Sequence, residues 1–253
     1  MMVRRLILGS PILLSVALNC CAQGGPPMQT DDPGTPGNGN WELNVGITIE
    51  RRMGVQALET PSLDLNYGVG DRLQLKIAVP WVQQADVRTA TSGLGNSVGG
   101  VKWRFYENDR LRLQISTYPQ VEFNNPTRSV ARGLVDAGTR VLVPIEVAKA
   151  AGPINLNAEV GYSVRHVSRT WIAGLAIGRQ VTRRLELLGE VHHVHAASDT
   201  EREKTFGLGG RLKVHPNVIV LLMAGRSLPG SSSNEPQFIA YGGLRFIIPR
   251  HRE

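Results

Sequence analysis

The sequence predicts an all-β fold: a transmembrane antiparallel β-barrel of about twelve strands in a meander, with both termini on the periplasmic side. Three observations carry this. Segment after segment alternates apolar and polar residues with a period of two, the connections between segments alternate in length, and the large aromatic residues gather at segment ends. Composition agrees, since 42% of the 253 residues are hydrophobic, yet mean hydropathy is −0.12. No apolar run reaches the ~20 residues of a membrane-spanning helix. Glycine is frequent at 28 residues and charged residues make up only 19%, which disfavours both a helical bundle and disorder.

Residues 1–22 read as a signal peptide, with Arg4 and Arg5 in a basic first region, an apolar stretch broken by Gly9, Ser10 and Pro11, and Cys20-Cys21-Ala22 as a small-residue cleavage site near Ala22. Lipidation at Cys21 is the weaker alternative, because Asn19 and Cys20 stand where a small residue is needed. Cleavage removes both cysteines, so the remainder needs no thiol chemistry. Residues 23–40 are a Gly/Pro-rich periplasmic leader or plug that cannot sustain a helix or a central strand.

Residues 41–248 form the expected barrel. Trp41, Leu43, Val45, Ile47 and Ile49 alternate with polar neighbours, and the same period returns at Leu63 to Tyr67 and Leu73 to Trp81. Further strands carry Val101 to Phe105, Leu111 to Phe123, Val141 to Val147 and Ile154 to Val164, and another starts at Trp171. Four more run through 185–195, 206–214, 218–226 and 238–248; the stretch 218–226 is apolar on both faces and resists orientation. Short turns are expected at 69–71, 107–110, 150–152, 181–183 and 215–217, and longer loops at 51–57, 83–93, 124–137, 167–170, 196–203 and 227–235. Trp41, Trp81, Trp103 and Trp171 near strand ends suit girdles at the membrane interfaces. Residues 249–253 are a short basic tail.

The stretch 29–37, Gln-Thr-Asp-Asp-Pro-Gly-Thr-Pro-Gly, followed by Trp41-Glu42, is one of several distinctive motifs. Others are Leu63-Asp64-Leu65-Asn66-Tyr67-Gly68 with Asp71-Arg72-Leu73-Gln74-Leu75, Gly93-Leu94-Gly95-Asn96, and Glu122-Phe123-Asn124-Asn125-Pro126. Together they resemble the outer-membrane transporter family named after the meta-pathway of phenol degradation. The resemblance implies an outer-membrane barrel and transport; it carries over no catalytic or binding residue, and the family's name is no indication of a phenol substrate.

Alternation turns a row of charges inward. The lumen-lining candidates are Glu42, Asp64, Lys76, Lys102, Arg104, Arg112, Glu122, Arg140, Glu146, Glu159, Arg165, Glu190, Arg211 and Arg245. With the signs near balance, a salt-bridged prop and a polar conduction path are equal alternatives. In the 124–137 loop, Asn125 and Pro126 look like a helix start and Arg128, Arg132 and Asp136 recur every four residues. Arg128 and Arg132 would form a constriction if this loop folded into the mouth.

Other candidates are weak. His192 faces opposite to His193 and His195, so the three cannot share one metal, and no cofactor is expected. Ser198 with a nearby histidine lacks an orienting group for hydrolysis. Gly207-Leu208-Gly209-Gly210 sits within a strand and is no phosphate loop. The formal charge of +7 is spread singly, with Arg183-Arg184 and Arg250-His251-Arg252 the densest clusters, so nucleic acid is not an expected partner. The expectation is a channel or transporter in the bacterial outer membrane, surrounded by lipid and passing a small solute, anionic or aromatic; the alternative is a lipid-modifying enzyme or a structural barrel.

Overall fold

A computed structural model describes residues 25–86, 89–166, 168–196, 202–229 and 235–250. The expected signal peptide, both cysteines and Ser198 lie outside these residues. The described chain is a single antiparallel sheet of fourteen segments that closes on itself: β1 (Trp41–Arg52), β2 (Val55–Val69), β3 (Leu73–Ala85), β4 (Ala90–Leu94), β5 (Ser97–Asn108), β6 (Leu113–Thr117), β7 (Gln120–Phe123), β8 (Arg140–Ala151), β9 (Ile154–Arg165), β10 (Ser168–Gln180), β11 (Leu185–Ala196), β12 (Arg202–His215), β13 (Val218–Ser227) and β14 (Phe238–Ile248). Two pairs of segments are single staves with a break. Both β4 and β5 pair with β3, and β6 and β7 both lie between β5 and β8. That makes twelve staves, closed by β1 against β14 from Trp41↔Ile248 to Arg51↔Phe238. Closure leaves no open edge, a requirement in lipid.

Period-two alternation decides what each face meets. Leu73, Leu75 and Ile77 point outward and are exposed, while Gln74 between them is buried inside. The four tryptophans all face outward, and Trp41 packs on Tyr67 with ring centroids 4.5 Å apart, as Trp171 packs on Tyr162 at 4.7 Å. These pairs stand at opposite ends of an apolar exterior.

Three connections are shorter than the sequence suggests. β1 runs to Arg52 and β2 starts at Val55, β3 and β4 leave only 86–89 between them, and β9 and β10 are joined through 166–167. Expected loops at 51–57, 83–93 and 167–170 are therefore largely strand. The ladders continue beyond the apolar belt with polar residues such as Arg51, Arg52, Gln83 and Gln84, where no hydrophobic period marks them. The second strand also begins earlier than Leu63, because a register shift between Glu59 and Ser62 interrupts the alternation at Pro61, a residue with no N–H for the ladder.

The 124–137 stretch forms turns and no helix. One turn closes through Arg132 N–H to the Arg128 carbonyl at 3.0 Å and Leu134 N–H to the Ser129 carbonyl at 3.0 Å, and the left-handed backbone of Gly133 (φ 70°) ends it.

Candidate functional site: the occupied lumen

The leader runs into the barrel. Gly39 N–H donates to the Gly68 carbonyl at 2.8 Å and Gly68 N–H returns a bond to the Asn40 carbonyl at 3.0 Å, anchoring the chain at the rim where β1 begins and β2 ends. The crossing is so close that a Cβ on Gly68 would overlap the Gly37 carbonyl, so position 68 requires glycine. From there the chain passes Asp71, whose carbonyl accepts from the Thr35 hydroxyl at 3.0 Å, and rises between the walls to a tight turn over residues 25–30. Gly25 N–H and Met28 N–H close that turn on the carbonyls of Thr30 and Gly25, both at 3.1 Å.

A Gly/Pro-rich segment without helix or ladder has unpaired backbone groups, and buried ones need partners. The wall supplies them. Glu190 accepts from the N–H groups of Gln29, at 3.1 Å, and Thr30, and Glu159 accepts from Asp31 N–H at 2.9 Å. Arg211 and Arg245 donate to the carbonyls of Gly25 and Pro26, both at 3.2 Å. Lys102, only 2% exposed, joins the Asp31 carboxylate at 2.9 Å and Glu146 at 3.5 Å, donates to the Asp32 carbonyl and stands 4.6 Å from the Tyr118 ring centroid. Burial works against the charged form of Asp31, but Lys102, Lys76 and the Asp32 N–H together outweigh it and hold that carboxyl below its ordinary value. Burial pushes the adjacent Asp32 carboxyl up to about 6.

An apolar contact completes the seat. Met28 packs with inward-facing Leu188, Met223 and Ile239, and with half-buried Tyr241. This accounts for the two-sided apolar pattern of residues 218–226: Ile219, Leu221 and Met223 of β13 are buried inward, while Val220, Leu222 and Ala224 face out. Gly174 on β10 leaves room for Thr30, since a Cβ there would lie 3.0 Å from the Thr30 Cβ. Between leader and wall remains a cavity of about 40 Å³, lined by Asp31, Asp32, Asp64, Lys76, Lys102 and Tyr118 among others, room for little more than one or two waters.

The remaining candidates fall into two further groups. Toward the rim where β1 begins, Arg245 pairs with Glu42 at 3.2 Å and donates to Asn44 at 2.9 Å, Lys76 lies 3.4 Å from Asp64, Arg211 pairs with Glu186 at 3.2 Å, and Arg104 donates to the Asp71 carbonyl at 2.6 Å. At the mouth, Glu122 pairs with both Arg140 and Arg165, and Arg165 reaches Asp136 at 2.7 Å. Arg112 departs from the expectation: it is exposed in the β5–β6 turn, with left-handed backbone (φ 49°), and donates to the Gly152 carbonyl at 3.3 Å. The turn, rather than strand alternation, sets its direction.

The 124–137 segment bends over the inner wall. Ser129 and Leu134 are buried, and a Cβ on inward-facing Gly93 would touch Arg132, Ser129 and Leu134. Arg128 and Arg132 are themselves exposed. His192 is buried inward, whereas the rings of His193 and His195 stack outside at 6.0 Å. Among the described residues no group of three potential ligands could hold a metal.

The leader's position had only a compositional signal; the clue to its seat was the apolar inner row at Ile219, Leu221 and Met223, which a water-filled lumen would not favour.

No family model matches this sequence, and no curated protein is significantly similar to it. Solved structures are similar in fold. An outer-membrane channel from Pseudomonas putida F1 aligns with a TM-score of 0.64 at 15% identity, covering 89% of this chain and 99% of that one. The NanC porin aligns at 0.58 and 8% identity, over 81% of this chain and 98% of its own, and the KdgM porin at 0.57 and 9%, over 82% and 99%. At these identities the likeness establishes architecture: the chain is a closed antiparallel barrel with the fold of outer-membrane channels and porins.

Proposed function

We propose that this chain is a channel for small solutes in the bacterial outer membrane, with its own leader as the plug that closes the lumen. Transport rather than catalysis is the role, and residues 1–22 are the signal peptide that directs it there. The observation that carries this reading is the contrast between the two faces of one closed sheet, apolar outside and charged within, combined with a leader held in the lumen by hydrogen bonds and ion pairs that water can replace. The sequence motifs support placing the chain with the transporter family named after the phenol meta-pathway, without making phenol the solute.

The mouth is basic. Arg128, Arg132 and Arg140 are exposed there, and Glu122 is already shared between Arg140 and Arg165, so anionic solutes are favoured at the opening. Reversal potentials in a planar bilayer under a salt gradient test this. Arg128→Gln with Arg132→Gln is expected to raise the cation-to-anion permeability ratio. An unchanged ratio would take this loop out of the conduction path, and a folded protein that conducts neither intact nor without residues 25–36 would contradict the channel itself.

A further inference from the structure

On the outside of the barrel lies a large concavity, about 1120 Å³, against ~30 Å³ for one water in the liquid. It spans three adjacent rows across β11, β12, β13, β14 and β1. Its central row runs Leu187↔Gly210↔Leu222↔Gly242↔Ile47, where glycines on both sides of Leu222 let the surface sink between larger neighbours. Five strands at ~4.8 Å spacing make it about 19 Å wide, and its three rows cover about 13 Å along the strands. The lining is almost wholly apolar, and the surface faces lipid.

The two edges differ. On the loop side the next row is Val191↔Phe206↔Arg226 with Phe238↔Arg51, and Lys204 follows one row further up β12, opposite His193. Arg51, Arg226 and Lys204 are exposed. On the periplasmic side the next row holds Val218, Phe246 and Leu43, while exposed Arg179, level with Leu187, and Arg183 and Arg184 stand at the β10–β11 corner. Among the described residues, no outward position of β10 to β14 or β1 carries a carboxylate. Arg51 and Arg226 lie four residues above the central row, about 13 Å along the strand and about 10 Å along the membrane normal at the usual tilt. Their long side chains extend that reach toward the headgroups.

We propose that this groove seats a phosphorylated glycolipid of the outer leaflet, its acyl chains in the concavity and its phosphates on Arg51, Arg226 and Lys204. Apolar depth and a basic edge spread over β12, β13 and β1 are separate properties, and an anionic lipid whose headgroup lies at the loop end satisfies both. A lipid from the inner leaflet would present its phosphate to the apolar row of Val218, Phe246 and Leu43, with Arg179, Arg183 and Arg184 off to the β10–β11 corner. The inference rests on the outer-membrane placement proposed above and is independent of conduction.

Native mass spectrometry of the full folded protein in detergent tests it, with three probes offered separately: bis-phosphorylated lipid A, the same lipid stripped of phosphate, and phosphatidylglycerol. Lipid A is expected to be retained, with the other two at least about tenfold weaker. Replacing Arg51, Arg226 and Lys204 together by Gln should weaken lipid A by about tenfold or more. Gly242→Leu, which fills the groove where a Cβ has ordinary contact room 3.8 Å from Leu222, should do the same with the basic edge intact. A gel shift between unheated and boiled samples confirms that each variant is folded. Equal retention of the stripped lipid, or an unaffected triple variant, would overturn the phosphate seat. Phosphatidylglycerol held as tightly as lipid A would overturn the outer-leaflet assignment. Absence of the heat shift in the unaltered protein would instead overturn the membrane-barrel placement, separately from the lipid result.

Discussion

Protein lacking residues 25–36 is expected to fold and to conduct several-fold more than the intact chain in a planar bilayer. The barrel does not need the leader for closure, because every stave pairs with its two neighbours and β1 meets β14 over its whole length. The wall charges keep partners: Lys102 retains Glu146 at 3.5 Å, Arg211 retains Glu186 at 3.2 Å, and Arg245 retains Glu42 at 3.2 Å. Glu159 and Glu190 lose their leader N–H groups, but water entering the vacated space hydrates them. What disappears is the obstruction that reduces the space beside Lys102 and Asp64 to about 40 Å³. Conductance indistinguishable from that of the intact chain would mean that another element limits the path.

The second large effect is expected from Lys102→Met. Lys102 lies between the Asp31 carboxylate, the Asp32 carbonyl and Glu146, which is 0% exposed. Removing one partner from a buried ion pair typically costs about 3–5 kcal/mol, because the other charge stays behind without water. Here the structure has a cheaper response than unfolding. The leader is tied to the rim through Gly39 and Asn40 but has no place in the ladder, so expelling it admits water to Asp31 and Glu146. The variant should therefore approach the conductance of the shortened protein, and the same substitution made in the shortened protein should add little, a non-additivity that marks one shared mechanism. Unchanged conductance in Lys102→Met would show that the leader is held chiefly by the Met28 contacts and the carboxylate bonds of Glu159 and Glu190.

Much of the barrel was legible because its signal repeats: each strand states its own two faces, and twelve consistent statements leave little freedom of topology. The strand extensions at Arg51, Arg52, Gln83 and Gln84 were not legible, since beyond the lipid both faces are wet and no period survives. Inward charges such as Lys102, Glu146, Glu159 and Arg245 followed from alternation alone. Arg112 did not, because a left-handed turn residue escapes the strand rule. The leader's path was hidden for a different reason. Its bonds run from backbone N–H and carbonyl groups to Glu159, Glu190, Arg211 and Arg245, more than a hundred residues away in sequence, and backbone groups leave no trace in residue identity. Only the surplus apolar face of β13, waiting for Met28, pointed to an occupant.

The most direct test of the plug is a reversible lock. In protein lacking residues 1–22, and hence both native cysteines, Thr30→Cys and Gly174→Cys place two thiols on facing positions whose Cβ atoms are 3.0 Å apart. A shift of a few tenths of an ångström reaches the ~3.5–4.5 Å of a disulfide. The account predicts that the oxidised protein, its cross-link verified by mass, stays closed under conditions in which the same protein conducts after reduction. Equal conductance in the two states would contradict it.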